Sequence, residues 1–366
     1  MCIRDRPNKA WISDDPHKGQ EESYTSCYFQ HGKMHFHALL AKRAQVQSPI
    51  HLEAYQKLHQ QINKEHLYLL QRQVHTVAIR SNADELFIIL QVEKHTAKNI
   101  LLSKKLSQWF QREWPEIKGL ALLQTDHAMS WITPSHKSQS TQWKIIQGPD
   151  WIRFPFGENA LVIPWEEFLR PYRSLLPQVI EKISQWLNPR PEQTFMDMYS
   201  GSGFWSIVLA KKFAKVLAID VRQQAKASLN ENTKRQKLPH VKSIQNEVSS
   251  NLFEKLSKTI EGDQLQVLLD PPPGPLPPGL IKSIGEKQTC RILRIYPSVE
   301  EFQDEVKKWK RAGYILRKAL PIIVQEDLKK FELFCFYEID RDGVLEKRKQ
   351  ATEKIPRQTG IRFVQK

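Results

Sequence analysis

The chain has 366 residues, room for two domains of ordinary size and a substantial buried core. Charged residues make up 26% and hydrophobic residues 40%, and no run approaches the roughly 20 uninterrupted apolar residues of a membrane span, so a bundle of membrane helices is excluded. Lys and Arg number 55 against 40 Asp and Glu, a net charge of +15, which favours a polyanionic partner because each phosphate contact releases condensed counterions.

No basic–apolar–small leader opens the chain, so it reads as cytoplasmic. Cys2, Cys27, Cys290 and Cys335 form no C-x-x-C pair, which argues against a disulfide framework and against bound zinc; no metal is expected. The opening Met1–Arg6 fits nothing after it and resembles translated adaptor sequence; residues 1–19 are read as a disordered or artefactual start.

Residues 7–25 are polar and read as loop. Apolar spacings of three and four predict helices over His31–Val46 and Leu52–Ile62. Leu67–Leu70, Val74–Ile79 and Leu86–Val92 are β-rich, with a turn at Asn82-Ala83-Asp84. Leu101–Phe110 reads as a helix, and Leu120–Leu123, Trp131-Ile132, Trp143–Ile146 and Trp151–Phe154 as short strands. Residues 20–165 are therefore one α+β domain.

From there the pattern alternates. A helix from about Arg173 to Leu187 precedes strands at Thr194–Met198, Val216–Asp220, Val241–Gln245, Gln266–Asp270, Arg291–Ile295, Tyr314–Leu320 and Phe331–Ile339. Between them lie helices at Phe204–Phe213, Arg222–Gln236, Leu252–Thr259, Leu276–Ile284 and Val299–Ala312. Such alternation calls for an α/β fold with a mostly parallel, doubly wound sheet over residues 166–340. Residues 341–366 form a basic tail.

Two segments carry chemistry. In Asp197-Met-Tyr199-Ser200-Gly201-Ser202-Gly203-Phe204 a strand enters a glycine turn and then a helix, as a backbone that approaches a nucleotide cofactor must. Asp220 ends the next strand, where an acidic group accepts hydrogen bonds from a ribose diol. Dinucleotides use the same architecture, but G-x-G-x-x-G is incomplete because Ser206 holds the last position. Asp270-Pro271-Pro272-Pro273-Gly274 ends the fourth strand, at the edge where such sheets bind ligands, with prolines to fix the loop.

With these segments the chain resembles the RNA uracil-C5 (5-methyluridine) methyltransferase family. Asp197–Gly203 is similar to that family's D-L-Y-C-G-x-G, Asp270-Pro271-Pro272 to its D-P-P-R, and Ser26-Cys27 through Lys42 to the end of its cysteine-rich segment and the next helix. The resemblance implies a seven-stranded Rossmann-like domain behind a smaller α+β central domain. It further implies S-adenosyl-L-methionine as cofactor, rRNA or tRNA as partner, and a monomer. Cofactor contacts would fall on Arg170, Asp197, Tyr199, Ser200, Gly201, Gly203, Phe204, Asp220, Glu247 and Asp270, and the general base on Glu332.

Three departures stand out. The family's nucleophilic Cys lies in S-C-N-P after the fifth strand; here Arg291–Ser298 contains no Cys, and Tyr296/Pro297 occupy its place. Cys290 lies at that strand's other end, roughly 17–20 Å away at ~3.3 Å per residue. Arg170 takes the position of the Gln in F-F-Q-V-N, and Cys27 alone holds no iron–sulfur cluster. Two readings follow: an RNA methyltransferase with altered chemistry, or a degenerate RNA-binding paralogue that retains the cofactor pocket. Trp109 and Trp114, with Arg112 and Lys118, offer base stacking, although a helix with two Trp more often places them in a core.

Overall fold

The computed structural model describes residues 25–30, 33–36, 53–54, 57–58, 61, 70, 73–82, 85–124, 142–156, 159–165, 167, 175–325 and 330–340. The readings for the opening residues, the turn at Ala83-Asp84, Trp131-Ile132 and the 341–366 tail lie outside them.

The first sheet runs β2-β1-β3-β4-β5-β6. Its strands are β1 (Thr25–Gln30), β2 (Lys33–Phe36), β3 (Val74–Asn82), β4 (Glu85–Val92), β5 (Ile117–Gln124) and β6 (Gln142–Gln147). Helix α1 (Ala97–Glu113) makes the crossover that lets β4 and β5 pair in parallel. It starts where the Thr96 hydroxyl accepts from the Asn99 N–H at 3.1 Å, and it buries Leu102, Leu106 and Phe110.

Two expectations are overturned here. Lys33–Phe36 is a strand and not the start of a helix; it alternates polar and apolar and pairs antiparallel with β1. Leu70 is helical and not in a strand, and its carbonyl accepts from the Gln73 N–H at 2.9 Å. A four-residue apolar run does not separate helix from strand by periodicity. Trp114 is buried in the core under α1 and Trp109 is half-buried against it, the core placement that a helix with two Trp more often gives.

A hairpin the sequence only half revealed follows: β7 (Ile152–Phe156) pairs antiparallel with β8 (Asn159–Ile163). Beyond it Trp165 stands edge-on to Phe87 with ring centroids 5.4 Å apart, and its carbonyl accepts from the buried Arg80 guanidinium at 2.7 Å. Phe87, Ile89, Ala121 and Leu123 from the first sheet share one buried cluster with the hairpin, with α2 (Leu176–Leu187) and with one face of the second sheet.

The second sheet has seven strands in the order β11-β10-β9-β12-β13-β15-β14. They are β9 (Thr194–Met198), β10 (Lys215–Asp220), β11 (Val241–Gln245), β12 (Leu265–Leu269), β13 (Arg291–Tyr296), β14 (Tyr314–Gln325) and β15 (Lys330–Ile339). Five are parallel, and β15 runs antiparallel to both neighbours. All five residues of β9 and of β12 are buried, as central strands covered on both faces require.

The covering helices are α3 (Phe204–Leu209), α4 (Gln223–Arg235), α5 (Ser250–Ser257), α6 (Leu280–Lys287) and α7 (Val299–Arg311). The alternation read from the sequence is thus the alternation present. β14 extends past Leu320 through Pro321, which a strand at the edge of the sheet tolerates, its outer side having no ladder partner among the described residues. Among the described residues no helix is long and apolar enough to cross a membrane.

Candidate cofactor and active site

The chain reverses its winding at β9: it goes outward through β10 and β11, then returns to build β12 on β9's other side. A crevice opens at the carboxyl ends of strands where the order reverses in this way. Two loops meet there, Tyr199–Gly203 after β9 and Asp270–Gly274 after β12, tied where the Asp270 N–H donates to the Met198 carbonyl at 3.3 Å.

The first loop turns through left-handed backbone at Tyr199 (φ 69°), Gly201 (φ 53°) and Gly203 (φ 85°). At Gly203 a Cβ would also stand 2.2 Å from Leu229 Cδ1 of α4. Gly203→Ala combines a disfavoured φ with a clash in a packed core, so a loss of about 2–4 kcal/mol is expected in urea unfolding. An alanine variant as stable as the parent would show that loop and α4 separate freely.

The polar groups of this loop are unevenly satisfied. Ser206 Oγ donates to Asp197 Oδ2 at 2.6 Å, while Asp197 Oδ1 and Ser200 Oγ are buried with no hydrogen-bond partner. Burial pushes the Asp197 carboxyl up to about 7, and the nearby Asp270 and Asp220 carboxylates add to the rise against the Ser206 hydrogen bonds. Buried polar atoms are rarely left unpaired; these two lie at the end of β9 and in the loop that follows it.

Asp220 ends β10 with a full complement of donors. Oδ1 accepts from Arg222 N at 2.9 Å and Arg222 Nε at 3.0 Å; Oδ2 accepts from Gly201 N at 3.0 Å and Arg222 Nη2 at 3.1 Å. Burial by itself would raise this carboxyl, but the Arg222 charge and these hydrogen bonds outweigh it and hold it below the ordinary carboxylate range. Arg222 Nη1 donates onward to Glu167 Oε2 at 3.0 Å, and Glu167 Oε1 accepts from Ser202 N at 3.2 Å. Glu167 and Arg222 are the residues that sequence reasoning missed as partners. An Arg two positions after the ribose-type carboxylate was the available signal for one; Glu167 lies 55 positions from Arg222 and gave none.

The remaining expected residues fall as follows. Phe204 opens α3 and stands edge-on to Trp205, with centroids 5.0 Å apart. Glu247 is exposed in the loop after β11, and Asp270 is half-buried at the end of β12. Glu332, also half-buried, lies on β15 next to Leu333, which pairs with Tyr296 at the carboxyl end of β13. It therefore shares an edge of the sheet with Asp270. Arg170 lies outside the described residues.

No described group near this edge is a ready nucleophile. Tyr296 is fully buried; its hydroxyl meets that of Tyr337 at 3.0 Å and accepts from Trp309 Nε1 at 3.1 Å, and burial raises it far above the usual phenol range. Burial likewise pushes the Cys335 thiol up to about 12. Cys290, at the other end of β13, donates to the Leu265 carbonyl at 3.0 Å. Among the described residues no cluster of His, Cys, Asp or Glu could hold a metal ion.

The loop after β12 is braced from below. Glu301, in the first turn of α7, accepts from Gly274 N at 2.9 Å and lies 3.6 Å from the guanidinium of Arg294. Arg294, on β13 and fully buried, donates to both oxygens of Glu305 at 3.1 Å and lies over the Tyr296 ring at 4.3 Å.

Comparison with known proteins agrees with this architecture. Over 87% of the chain it superposes on 76% of the tRNA (uracil-54, C5)-methyltransferase of Pyrococcus abyssi, solved with S-adenosyl-L-homocysteine, with a TM-score of 0.63 and 16% identity. The fold is that of the Rossmann-like methyltransferases. In sequence, the chain is 27% identical over 201 residues to the 23S rRNA (uracil(1939)-C(5))-methyltransferase of Thiobacillus denitrificans, covering 52% of the chain and 44% of the relative. It is 21% identical over 234 residues to an uncharacterized RNA methyltransferase of Streptococcus mutans, covering 64% and 50%. The chain spans half or less of the length of these two relatives. Residues 156–274 match the family described as Conserved hypothetical protein 95.

Proposed function

We propose that the chain is an S-adenosylmethionine-dependent RNA methyltransferase, acting on rRNA or tRNA by chemistry that needs no protein thiolate. The observation that carries the reading is the convergence at one sheet edge of an ionised ribose-type acceptor, Asp220, unpartnered buried polar atoms on Asp197 of β9 and Ser200 of the glycine loop, and the Asp270-Pro271-Pro272 loop. The residues fit the cofactor. Asp220 would take the ribose diol, and Val221, 45% exposed beside it, gives an apolar face for the adenine. Asp197 and Ser200 would face the amino-acid end, with Tyr199, Gly201, Gly203, Phe204 and Glu247 lining the rest. Bound there, the cofactor supplies an electrophilic methyl group.

The chain's own residues then orient the acceptor and take its proton. A ring or exocyclic nitrogen of a base attacks without covalent activation, and a carboxylate within reach, Asp270 or Glu332, accepts the proton it loses. A C5 carbon would need a thiolate first. Cys335 is buried and held protonated, and Tyr296 is closed into a hydrogen-bonded core, which supports a nitrogen target.

The test is incubation with radiolabelled S-adenosylmethionine and unmodified total RNA, followed by digestion to nucleosides. A labelled N-methyl nucleoside is the expected product. Labelled 5-methyluridine would overturn the thiolate-free route. No product despite cofactor binding would favour the second reading, a degenerate RNA-binding paralogue, which the same lack of a competent thiol also supports.

Asp197 adds a pH dependence. With its carboxyl raised to about 7, a value above that of an unfolded aspartate, its favourable contribution to stability is complete below about pH 4 and is lost as pH rises through about 7. The cofactor's cationic amino-acid end favours the ionised form, so binding releases a proton and affinity is expected to strengthen as pH rises from 6 to 8. Isothermal titration in buffers of different ionisation enthalpy reads this directly, and Asp197→Asn should flatten the profile. A parent profile that is already flat would remove Asp197 from the site.

A further inference from the structure

A cleft of about 580 Å³ lies between α6 and α7, and its wall is the chain that leaves the Asp270–Gly274 loop. We propose that it binds one nucleotide of the RNA strand flanking the target base, with the base against the apolar wall and the phosphate between Lys308 and Arg311. The proposal rests on the reading of the chain as an RNA methyltransferase and adds where the substrate strand runs.

Continuity comes first. Only two residue steps, at most about 7 Å of extended chain, separate Gly274 of the candidate active-site loop from Leu276 of the cleft wall. Along α7, Lys308 and Arg311 lie roughly 10 and 15 Å from Glu301, which holds Gly274, so a strand that presents a base at Asp270 and follows the helix reaches them within two or three nucleotides.

The lining matches a nucleotide in both halves. Leu276, Pro277 and Ile281 supply an apolar surface, and the proline ring brings no N–H that a stacked base would leave unpaired. Opposite them stand Lys308 and Arg311, three positions apart in the last turn of α7, with Lys282 on α6. Neither Lys308 nor Arg311 has an ion-pair partner among the described residues. Lys282 pairs at 3.5 Å with Glu286, but both side chains are largely exposed, so the pair yields readily to a phosphate.

Of the two acidic groups lining the cleft, Glu305 in the floor has both oxygens engaged by Arg294, and Glu286 is largely exposed to solvent beside Lys282, so Lys308 and Arg311 carry the attraction for a phosphate. The Arg294–Glu305 pair fixes the floor, so the site is formed before the ligand arrives. The volume lies within the range of small-ligand pockets and is too small for a duplex or a folded partner. Shape and charge together select a single-stranded, phosphate-bearing chain.

The experiment uses the full chain and a radiolabelled single-stranded RNA in filter binding across a salt series, comparing the parent with K308A/R311A. Both residues are exposed, so folding should be kept; thermal melting and S-adenosylhomocysteine binding at parental values verify it. Loss of the one phosphate site should lower the salt slope by about 0.7 and weaken binding several-fold at physiological salt. RNA carrying 4-thiouridine next to the target should crosslink to the peptide spanning Leu276–Lys282.

An unchanged slope with intact RNA binding or methyl transfer would overturn the cleft assignment and leave the proposed function standing. A parent that neither binds nor methylates RNA would overturn both. Loss of polyglutamate binding in the variant, with RNA binding intact, would assign the cleft to an acidic peptide and also overturn it.

Discussion

Replacing Arg294 by methionine is expected to destabilise the chain by about 3–5 kcal/mol, the largest single effect foreseen outside the cofactor loop. The side chain is fully buried on β13, and its guanidinium is the ion-pair partner of Glu305, itself buried. Removing it leaves the Glu305 carboxylate, 5% exposed in the floor of the α6–α7 cleft, without its ion-pair partner, and the cost is that stranded charge more than the lost attraction. The double variant R294M/E305L should therefore recover most of the loss, because two apolar side chains of similar volume need no compensation. Urea unfolding of the four proteins of this cycle measures the coupling. A single variant within 1 kcal/mol of the parent would mean that water or a side-chain rearrangement reaches Glu305. The double variant also reports on the active-site loop. Glu301 would still hold Gly274 but would lack the nearby guanidinium, so weakened methyl transfer with intact cofactor binding would separate bracing from bulk stability.

The alternation of strands and helices over residues 194–339 was legible because each strand is a short apolar run and each helix has spaced apolar positions bounded by caps or turns. Ser249 and Ser298, for example, accept from Leu252 N and Glu301 N and begin α5 and α7. Leu70 was misread because a run of four residues carries too little periodicity to choose between helix and strand, and Lys33–Phe36 because its local alternation was absorbed into the three- and four-residue spacing read over His31–Val46. The hairpin strand β8 was overlooked because its pairing with β7 is a tertiary fact, and residues 159–163 carry no alternation of their own.

The cofactor loop and Asp220 could be read because their chemistry constrains residue types at fixed spacing. The brace could not. Arg294 falls at an inward position of a buried strand, where an apolar residue is the ordinary expectation, and only the pairing with Glu301 and Glu305 across 7 and 11 positions of chain explains it. In the same way, Arg222 reads as a solvated helix start until Glu167 is placed beside it.

Asp220→Ala is expected to weaken S-adenosylhomocysteine binding on the order of 100-fold, and Arg222→Ala to leave it unchanged or tighten it a few-fold. All four acceptor positions of the Asp220 carboxylate are filled, two by backbone N–H groups of Gly201 and Arg222 and two by the Arg222 guanidinium. A ribose diol also offers two donors. The cofactor can enter by exchanging its hydroxyls for the guanidinium, with the backbone bonds left in place to hold the carboxylate on the loop. Losing Asp220 removes two hydrogen bonds to a charged acceptor, each about 1.5–3 kcal/mol, and also unties Gly201 from β10. Losing Arg222 removes the competitor along with its ion pair to Glu167 and the charge that helps keep Asp220 ionised. The backbone N–H groups of Gly201 and residue 222 still hold the carboxylate, the entering cofactor hydroxyls replace the guanidinium donors, and Glu167 keeps its bond to Ser202 N. Equilibrium dialysis of the two variants against the parent decides the matter. Equal weakening in both would mean that Arg222 itself touches the ligand, and a parental affinity in Asp220→Ala would mean that the ribose binds elsewhere.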